Sequence, residues 1–408
     1  MGKKNNDIDF QSAPVNRRSR SSNMSMFMVL MGFTFFSASM WVGQKMAEGL
    51  DFYGFIWAML LGGVILGAYT GALGYIGGKS GLSLDLLAVR TFGTKGSYLP
   101  SAMISFTQMG WFGVGLAMFA IPIAKVFFDD SMTATYTMVA IAGVCMTASA
   151  YFGIKGLTVV SYVAVPCVAI LGSIAMVMAV MQGDKGLIDQ FAEGEKGLGV
   201  IAGAGLVVGS FVSGGTATPN FTRFAKNAKV GCILTVIAFF IGNSLMFLFG
   251  AVSSIYVGGN DIFDVMINLN LFYLAILVLG LNIWTTNDNA LYSTGLGLGN
   301  IFHCGKRPMV LLSGLIGTLA AVWLYNNFCT YLNILNCTLP PVGIILIVGY
   351  FLNWRKPEWD RPKTVEVGAI VGVIVGAVVA NLVTWGIPSI NGMVTAVICY
   401  LLGRKFSK

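Results

Sequence analysis

VGSFVSGGTATPNF, residues 208–221, lies inside one of the most apolar stretches of the chain. A helix that crosses a bilayer must satisfy its own backbone polar groups, because hydrocarbon offers them no partners. A Gly-Gly pair, Ser and Thr residues and a proline near the middle of such a helix have two readings. The small residues suit close helix packing, or the helix is interrupted there. An interruption at that depth must be buried in protein or line a cavity, and secondary transporters place their binding sites at such breaks.

The composition supplies the setting. Of 408 residues, 56% are hydrophobic and only 10% charged, against about 25% charged in soluble domains. Mean hydropathy is +0.77. Apolar runs of about 20 residues, the length that crosses the hydrocarbon core, recur along the chain. They predict an all-α integral membrane protein with twelve transmembrane helices, near 26–47, 53–76, 98–126, 132–153, 157–181, 197–222, 230–256, 268–298, 308–328, 331–352, 364–386 and 389–403. The last is short, which leaves eleven as an alternative. The short alternating segments of a β-barrel are absent. Residues 1–25 are polar and carry NRRSRSSN, and they read as a disordered cytoplasmic tail with no cleaved signal peptide.

Charge placement agrees with this map. With the N-terminus inside, all but four of the 25 Lys and Arg residues fall on inner segments, the exceptions being Lys45, Lys125, Lys185 and Lys196. This is the positive-inside pattern, and it predicts a multi-pass membrane protein with both termini in the cytoplasm. The net charge of +8 therefore reflects topology rather than nucleic-acid binding. The seven cysteines are scattered without metal spacing, and the single histidine, His303, has no Cys pair beside it. No nucleophile–base set or metal set is visible, so neither an enzyme nor a resident cofactor is expected. GYIGGKSG, residues 74–81, lacks the full phosphate-loop spacing and reads as a Gly-rich helix end.

Landmarks recur in order. Phe35-Phe36-Ser37-Ala38 resembles Phe211-Val212-Ser213-Gly214, Tyr75-Ile76-Gly77-Gly78 resembles Tyr256-Val257-Gly258-Gly259, and Pro166 corresponds to Pro340-Pro341. The spacing suggests a five-helix repeat over 26–181 and 197–352, with 364–403 forming two peripheral helices outside it. An odd number of spans inverts the second unit. Helices 1 and 6 would be the discontinuous ones, broken at GFTFFSAS (residues 32–39) and at Gly214-Gly215.

Polar residues inside spans carry the chemistry. Gln108 and Trp111 are three apart and share a helix face. The Gln amide can pair with a flat heterocycle that the Trp stacks upon, or with a neighbouring helix. Asn282, Thr285 and Thr286 share one face of span 8 and offer oxygen ligands to a hard cation such as sodium. Asp288 is the one acid well inside a span, and either a functional or a purely hydrogen-bonding role fits it. No Lys, Arg or His lies mid-span, which favours a neutral substrate.

GFTFFSASMW (32–41), TQMGWFGVGLAMFAIP (107–122), VVGSFVSGGT (207–216), AFFIGNSLMF (238–247), LGLNIWTTNDNALY (279–292) and AVWLYNNF (321–328) closely resemble members of the nucleobase:cation symporter-1 family. The resemblance covers nearly the whole chain from about residue 25. It implies the fold of the sodium-coupled amino-acid transporters and sodium-driven import of cytosine by alternating access, with no oligomer required. Carried over, sodium would be held by main-chain oxygens of Gly32 and Phe35 with Asn282, Thr285 and Thr286. The substrate would lie between Trp111 and Phe211, bonded by Gln108, Ser210, Ser213 and backbone near Phe36 and Ser37, with Asn282 shared between the two sites. The family's hydantoin carrier has Trp where Phe211 stands and an amide where Gly115 stands, which favours a pyrimidine here. Proton coupling, a broader range of heterocycles and a passive facilitator are the alternatives.

Overall fold

The computed structural model describes residues 13–192, 197–258, 262–383 and 385–406. Every regular element among them is helical. Helices α1 (Asn23–Thr34) and α2 (Ser37–Gly49) form one apolar stretch, bent by 53° between them. Then come α3 (Phe52–Ser80), the short α4 (Leu84–Phe92), α5 (Tyr98–Phe127), α6 (Met132–Tyr151) and α7 (Ile154–Met181). A short α8 (Leu187–Phe191) precedes α9 (Val200–Thr216) and α10 (Thr218–Thr222). Helices α11 (Ala228–Val236) and α12 (Asn243–Val257) are joined by a π-helical stretch, Ile237–Gly242. The chain continues through α13 (Ile262–Asn268), α14 (Phe272–Phe302), α15 (Lys306–Asn326), α16 (Phe328–Asn353), α17 (Val367–Leu382) and α18 (Pro388–Phe406).

Six of these, α3, α5, α6, α7, the α11–α12 rod and α15, are long and apolar enough to cross a membrane, and the α1–α2 pair makes a seventh. Helices α9, α17 and the second part of α16 are apolar but shorter. The exterior is apolar: Val144 is 71% exposed, Leu319 77% and Leu382 74%. The interior, by contrast, buries Thr34, Ser37, Gln108, Asn282, Thr285 and Asp288. A surface of this kind needs lipid against it, and polar groups held inside it need partners or a task.

Helix ends follow local chemistry. Ser22, Asp51, Ser83 and Ser131 each accept a bond from a backbone N–H in the first turn of α1, α3, α4 and α6. Gly81 closes α3 in the left-handed region at φ +71°. The glycines of GYIGGKSG bring α3 against its neighbours, and a Cβ on Gly74 would lie 2.6 Å from the Gly231 carbonyl oxygen.

Two expectations change. Residues 13–25 depart from the disordered tail. Val15 is buried and donates its N–H to the Gly81 carbonyl at 2.9 Å. The Arg20 guanidinium donates to the carbonyls of Gly78, Ala225 and Lys226. The Gly78 carbonyl lies in the last turn of α3, where helices leave acceptors unpaired, and those of Ala225 and Lys226 lie in the non-helical link between α10 and α11, so a basic tail is drawn onto them. Residues 1–12 lie outside the described residues. The second change is in span 6, where Gly214 and Gly215 sit inside α9 and the interruption falls at Ala217. The glycines serve packing: a Cβ on Gly215 would lie 2.6 Å from Thr70 of α3, and one on Gly214 would press on the rings of Phe211 and Phe33. Among the repeated landmarks, Gly77 and Gly78 lie within α3, Gly258 ends α12 at φ +78°, and Gly259 is outside the described residues.

Close packing also joins α2 to α12. A Cβ on Gly43 would overlap the main chain of Phe247, and one on Gly250 the main chain of Met40. Backbone cannot move aside as a flexible side chain can, so overpacking here should exceed the usual ~1–3 kcal/mol. Gly250→Leu is expected to lower the melting temperature sharply or to abolish a monodisperse peak in detergent chromatography. Gly199→Ala, where a Cβ meets nothing within 4 Å, should match wild type.

Candidate functional site

The site starts from the break in the first apolar stretch. Helix α1 stops after Thr34, and Phe35 and Phe36 are extended. Helix α2 begins at Ser37, with N–H groups that its own turns cannot satisfy. Asn282 of α14 resolves this. Its Oδ1 accepts from the Ser37 N–H at 2.8 Å and from the Ser37 hydroxyl at 2.9 Å. The amide oxygen expected to face a cation is thus committed to the start of α2. Asn282 Nδ2 is buried with no partner among the described residues.

A small cavity lies beside the break. Phe33, Phe36, Gln108, Trp111, Ser210, Phe211, Ser213, Gly214 and Thr286 line it, and its volume is ≈ 10 Å³, room for about one water. Six of the expected substrate-site residues, Phe36, Gln108, Trp111, Ser210, Phe211 and Ser213, therefore share one wall. Ser37 and Asn282 pair with each other next to it. Trp111 Nε1–H donates to Ser213 Oγ at 3.4 Å, joining α5 to α9. Gln108 is fully buried, yet its Nε2 has no partner among the described residues, an arrangement that costs roughly 1–3 kcal/mol if nothing binds there. Asn243 was not anticipated. The π-helical stretch delivers it to the start of α12, where Nδ2 donates to Ser210 Oγ at 3.3 Å. The segment AFFIGNSLMF had drawn attention to this region, but nothing in it signals an extra residue per turn.

Aromatic rings close the cavity. Phe36 meets Trp111 edge-on at 5.5 Å, and Tyr331 of α16 meets the other side of Trp111 at 6.1 Å. The Tyr331 hydroxyl donates to the Thr107 carbonyl. Towards α10, Phe33 contacts Phe211 at 5.2 Å and Phe221 at 5.1 Å, and Phe221 lies 5.8 Å from Tyr292. Behind Tyr292 is a buried guanidinium: Arg223 is 1% exposed and donates to the Tyr292 hydroxyl at 2.8 Å and to the Asn220 carbonyl at 3.2 Å. The Lys306 ammonium sits 5.2 Å from the Tyr292 ring centre. Asp85 of α4 is close by and accepts from Ser101 Oγ at 2.6 Å. Burial pushes its carboxyl up to about 6, an effect opposed by the Ser101 bond and the Arg223 charge.

The expected cation residues also converge. Thr286 Oγ1 donates to the Phe35 carbonyl at 3.4 Å and, at the same distance, to the Asn282 carbonyl. Thr285 Oγ1 donates to the Asn282 carbonyl at 2.9 Å. A Cβ on Gly32 would lie 2.8 Å from Ser161 Oγ of α7 and 3.3 Å from Thr285 Cβ. Ser161 Oγ is buried without a partner among the described residues, a hydroxyl that the sequence pattern did not single out. Asp288 lies further along α14, with Oδ1 accepting from Ser149 Oγ at 2.6 Å, and Ser149 in turn accepting from Trp284 Nε1–H at 2.8 Å. Where Gly115 stands, a Cβ would overlap the Asn287 carboxamide. No group of three or more potential metal-ligating His, Cys, Asp or Glu occurs among the described residues.

A helical bundle with a polar cavity at a helix break is the build of a membrane permease, not of an enzyme. The chain belongs to the family of permeases for cytosine/purines, uracil, thiamine and allantoin, which it matches over residues 14–361. The cytosine permease of Escherichia coli strain K12 is 44% identical over 399 residues, 97% of this chain and 94% of that protein. Among solved structures, Mhp1, a nucleobase-cation-symport-1 family transporter in a closed conformation with bromovinylhydantoin bound, superposes with a TM-score of 0.80 at 19% identity, covering 98% of this chain and 96% of that one. A substrate-bound, outward-open Na+-coupled sialic acid symporter superposes with a TM-score of 0.73 at 12% identity, covering 98% and 93%. The fold is shared with these transporters.

Asn282 gives the site a stability test. Asn282→Ala removes the acceptor of two Ser37 donors and is expected to cost ~1–3 kcal/mol, read as a lower melting temperature in detergent. Asn282→Asp keeps a carboxylate acceptor and should recover part of the loss. Equal melting of Asn282→Ala and wild type would show that the break does not depend on this bond.

Proposed function

We propose that this permease imports cytosine together with sodium by alternating access. The observation that carries the substrate reading is the Gln108 amide, buried and lacking a partner for Nε2, on the wall between Trp111 and Phe211. A pyrimidine with a donor and an acceptor side by side can take up both ends of a carboxamide while an aromatic face stacks on it. Ser210, Ser213 and backbone near Phe36 and Ser37 supply further hydrogen bonds. The high identity to a cytosine permease supports this choice over hydantoin, as does the place of Gly115. The cavity is too small for a ring in the closed arrangement, so entry requires Trp111, Phe36 and Tyr331 to part.

Sodium would sit among the carbonyls of Gly32, Phe35 and Asn282 and the hydroxyls of Thr285 and Thr286. Asn282 then contributes its main chain to the cation and its side chain to the helix break. Thr286 belongs both to the cavity wall and to the group around Phe35. A cation held there fixes the wall that the substrate contacts, and this supports coupling of the two. The helices are read as twelve spans in two inverted five-helix units, broken at Phe35-Phe36 and at Ala217, with α17 and α18 peripheral. Both termini would be cytoplasmic in a bacterial inner membrane.

The decisive experiment uses membrane vesicles and radiolabelled cytosine. Accumulation above the external concentration is expected only with an inward sodium gradient. Failure to concentrate cytosine would make the protein a facilitator. Thr285→Ala with Thr286→Ala should raise the sodium concentration needed for half-maximal uptake, and unchanged sodium dependence would remove the cation site. The second reading is proton coupling through Asp288, a buried acid whose Oδ2 has no partner among the described residues. Uptake in potassium driven by a pH gradient, and lost in Asp288→Asn, would establish it.

Gln108→Ala should weaken cytosine binding roughly 10- to 100-fold, the loss of about 1–3 kcal/mol of hydrogen bonding, with sodium affinity little changed. Calorimetric titration of the purified protein measures both. Cytosine binding at wild-type strength would move the substrate elsewhere.

A further inference from the structure

A second and larger pocket lies away from the break, between the end of α4, the connector from α16 to α17, and the end of α18. Its volume is ≈ 480 Å³, within the ordinary range for a ligand site. Five bases line it: Arg90, Lys356, Arg361, Lys363 and Arg404. Its walls are held by hydrogen bonds. The N–H groups of Thr94 and Lys95 donate to the carbonyls of Lys363 and Thr364 at 2.9 Å, and the Glu366 N–H donates to the Phe92 carbonyl at 2.7 Å. Arg404 donates to Asn353 Oδ1 at 2.8 Å, tying α18 to α16. The pocket is thus a built concavity between three parts of the chain.

Its charge is unbalanced. Arg90 pairs with Asp360, and Lys363 Nζ lies 3.4 Å from Glu366. Lys356 and Arg361 are exposed at the mouth, with no acidic partner among the described side chains. Among the described residues, Arg404 donates to the neutral Asn353 and Tyr400. The bases therefore outnumber the acids, and the surplus favours an anion. The surroundings narrow the kind of anion. Apolar side chains on the flanking helices face outward: Phe351 and Leu352 on α16, Val367 on α17, and Leu401 and Leu402 on α18. They provide the surface that acyl chains cover, a turn or less from the basic mouth. Buried Trp359 and Tyr400 line the same pocket, and amphipathic rings of this kind are common at the edge of a membrane.

We propose that this pocket binds the phosphate group of an anionic phospholipid, with the headgroup among Lys356, Arg361 and Arg404 and the acyl chains against α16 and α18. Basic pockets between transmembrane helices hold anionic headgroups by the same chemistry. The lipid would link the connector after α16 to α18, so its binding should stabilise the fold. The site is independent of the cytosine reading and survives if that reading fails.

The test uses the purified full chain in detergent. Dioleoylphosphatidylglycerol, dioleoylphosphatidylcholine, glycerol 3-phosphate and inorganic phosphate are each titrated, with melting temperature and native mass spectrometry as readouts. The anionic lipid alone is expected to raise the melting temperature and to remain bound. Lys356→Ala with Arg361→Ala should weaken that binding about 30-fold, roughly fivefold for each base removed, while the variant melts like wild type without lipid. Lys155→Ala, a base remote from the pocket, should bind normally. If the double variant folds poorly, Arg361→Gln alone provides the comparison, with about fivefold weaker binding expected. An equal response to phosphatidylcholine, or undiminished binding by the variant, overturns the proposal. The same shift with glycerol 3-phosphate or inorganic phosphate overturns the lipid assignment in favour of a soluble anion.

Discussion

One carboxamide oxygen holds the first helix open. Asn282 Oδ1 accepts two hydrogen bonds from Ser37, and without it the N-terminus of α2 would present an unpaired donor deep inside an apolar body. Water can satisfy such a group at the surface of a soluble protein, but hydrocarbon cannot. The break at Phe35-Phe36 is therefore tolerated because α14 brings a polar side chain to it. The extended residues Phe35 and Phe36 then direct a carbonyl towards Thr286 and a ring towards Trp111. The break, the cavity and the hydroxyl cluster are consequences of one docking, α1–α2 against α14.

The same dependence explains why the polar residues sit where they do. Thr286 lines the cavity and also bonds the carbonyl freed by the break. Gln108 and Trp111 come from α5, which packs along α14, and Phe211 and Ser213 come from α9. A movement of α1–α2 relative to α14 would alter the cavity wall and the carbonyl group together. That is the physical requirement for coupling two ligands: each must favour the same arrangement of a shared element.

The sequence exposed the residue types better than their geometry. FTFFSAS announced a break because no good membrane helix places three polar residues and three rings there, and the break is there. SGGT announced one for the same reason, yet glycine serves a break and a close contact equally well. Which of the two applies depends on Thr70 and Phe33 approaching from other helices, and a linear pattern does not contain that information. The interruption at Ala217 lies next to Pro219, which was visible. Asn282 was legible as a polar residue on the right face, but the choice between its side-chain and main-chain oxygen depends on Ser37, 245 residues distant. Ser161 and Asn243 escaped notice because a lone Ser is common in packed helices and a π-turn leaves no plain signature. Arg223 looked like an inner-loop base, and only the tertiary fold buries it under Tyr292.

That buried arginine makes the two ends of the cavity different. On the Trp111 side the closure consists mainly of ring edges, with a neutral hydroxyl bond from Tyr331, so opening exposes chiefly apolar and aromatic surface. On the Phe221 side the closure ends in Tyr292, with Arg223, Lys306 and Asp85 behind it. Opening there would break the Arg223–Tyr292 bond but let water reach a guanidinium, an ammonium and a carboxyl, and hydration of those charges would offset much of the lost bonding. Import by alternating access, as proposed above, would require the site to open at either end without one state dominating. Aromatic contacts of about 0.5–1.5 kcal/mol each on one side, and a charged cluster whose burial is itself costly on the other, oppose each other over the same cavity. On that proposal the charge buried beneath Tyr292 would keep the closed state only marginally favoured, and Arg223 sits directly after α10, at the end of the short helix that follows the interruption at Ala217.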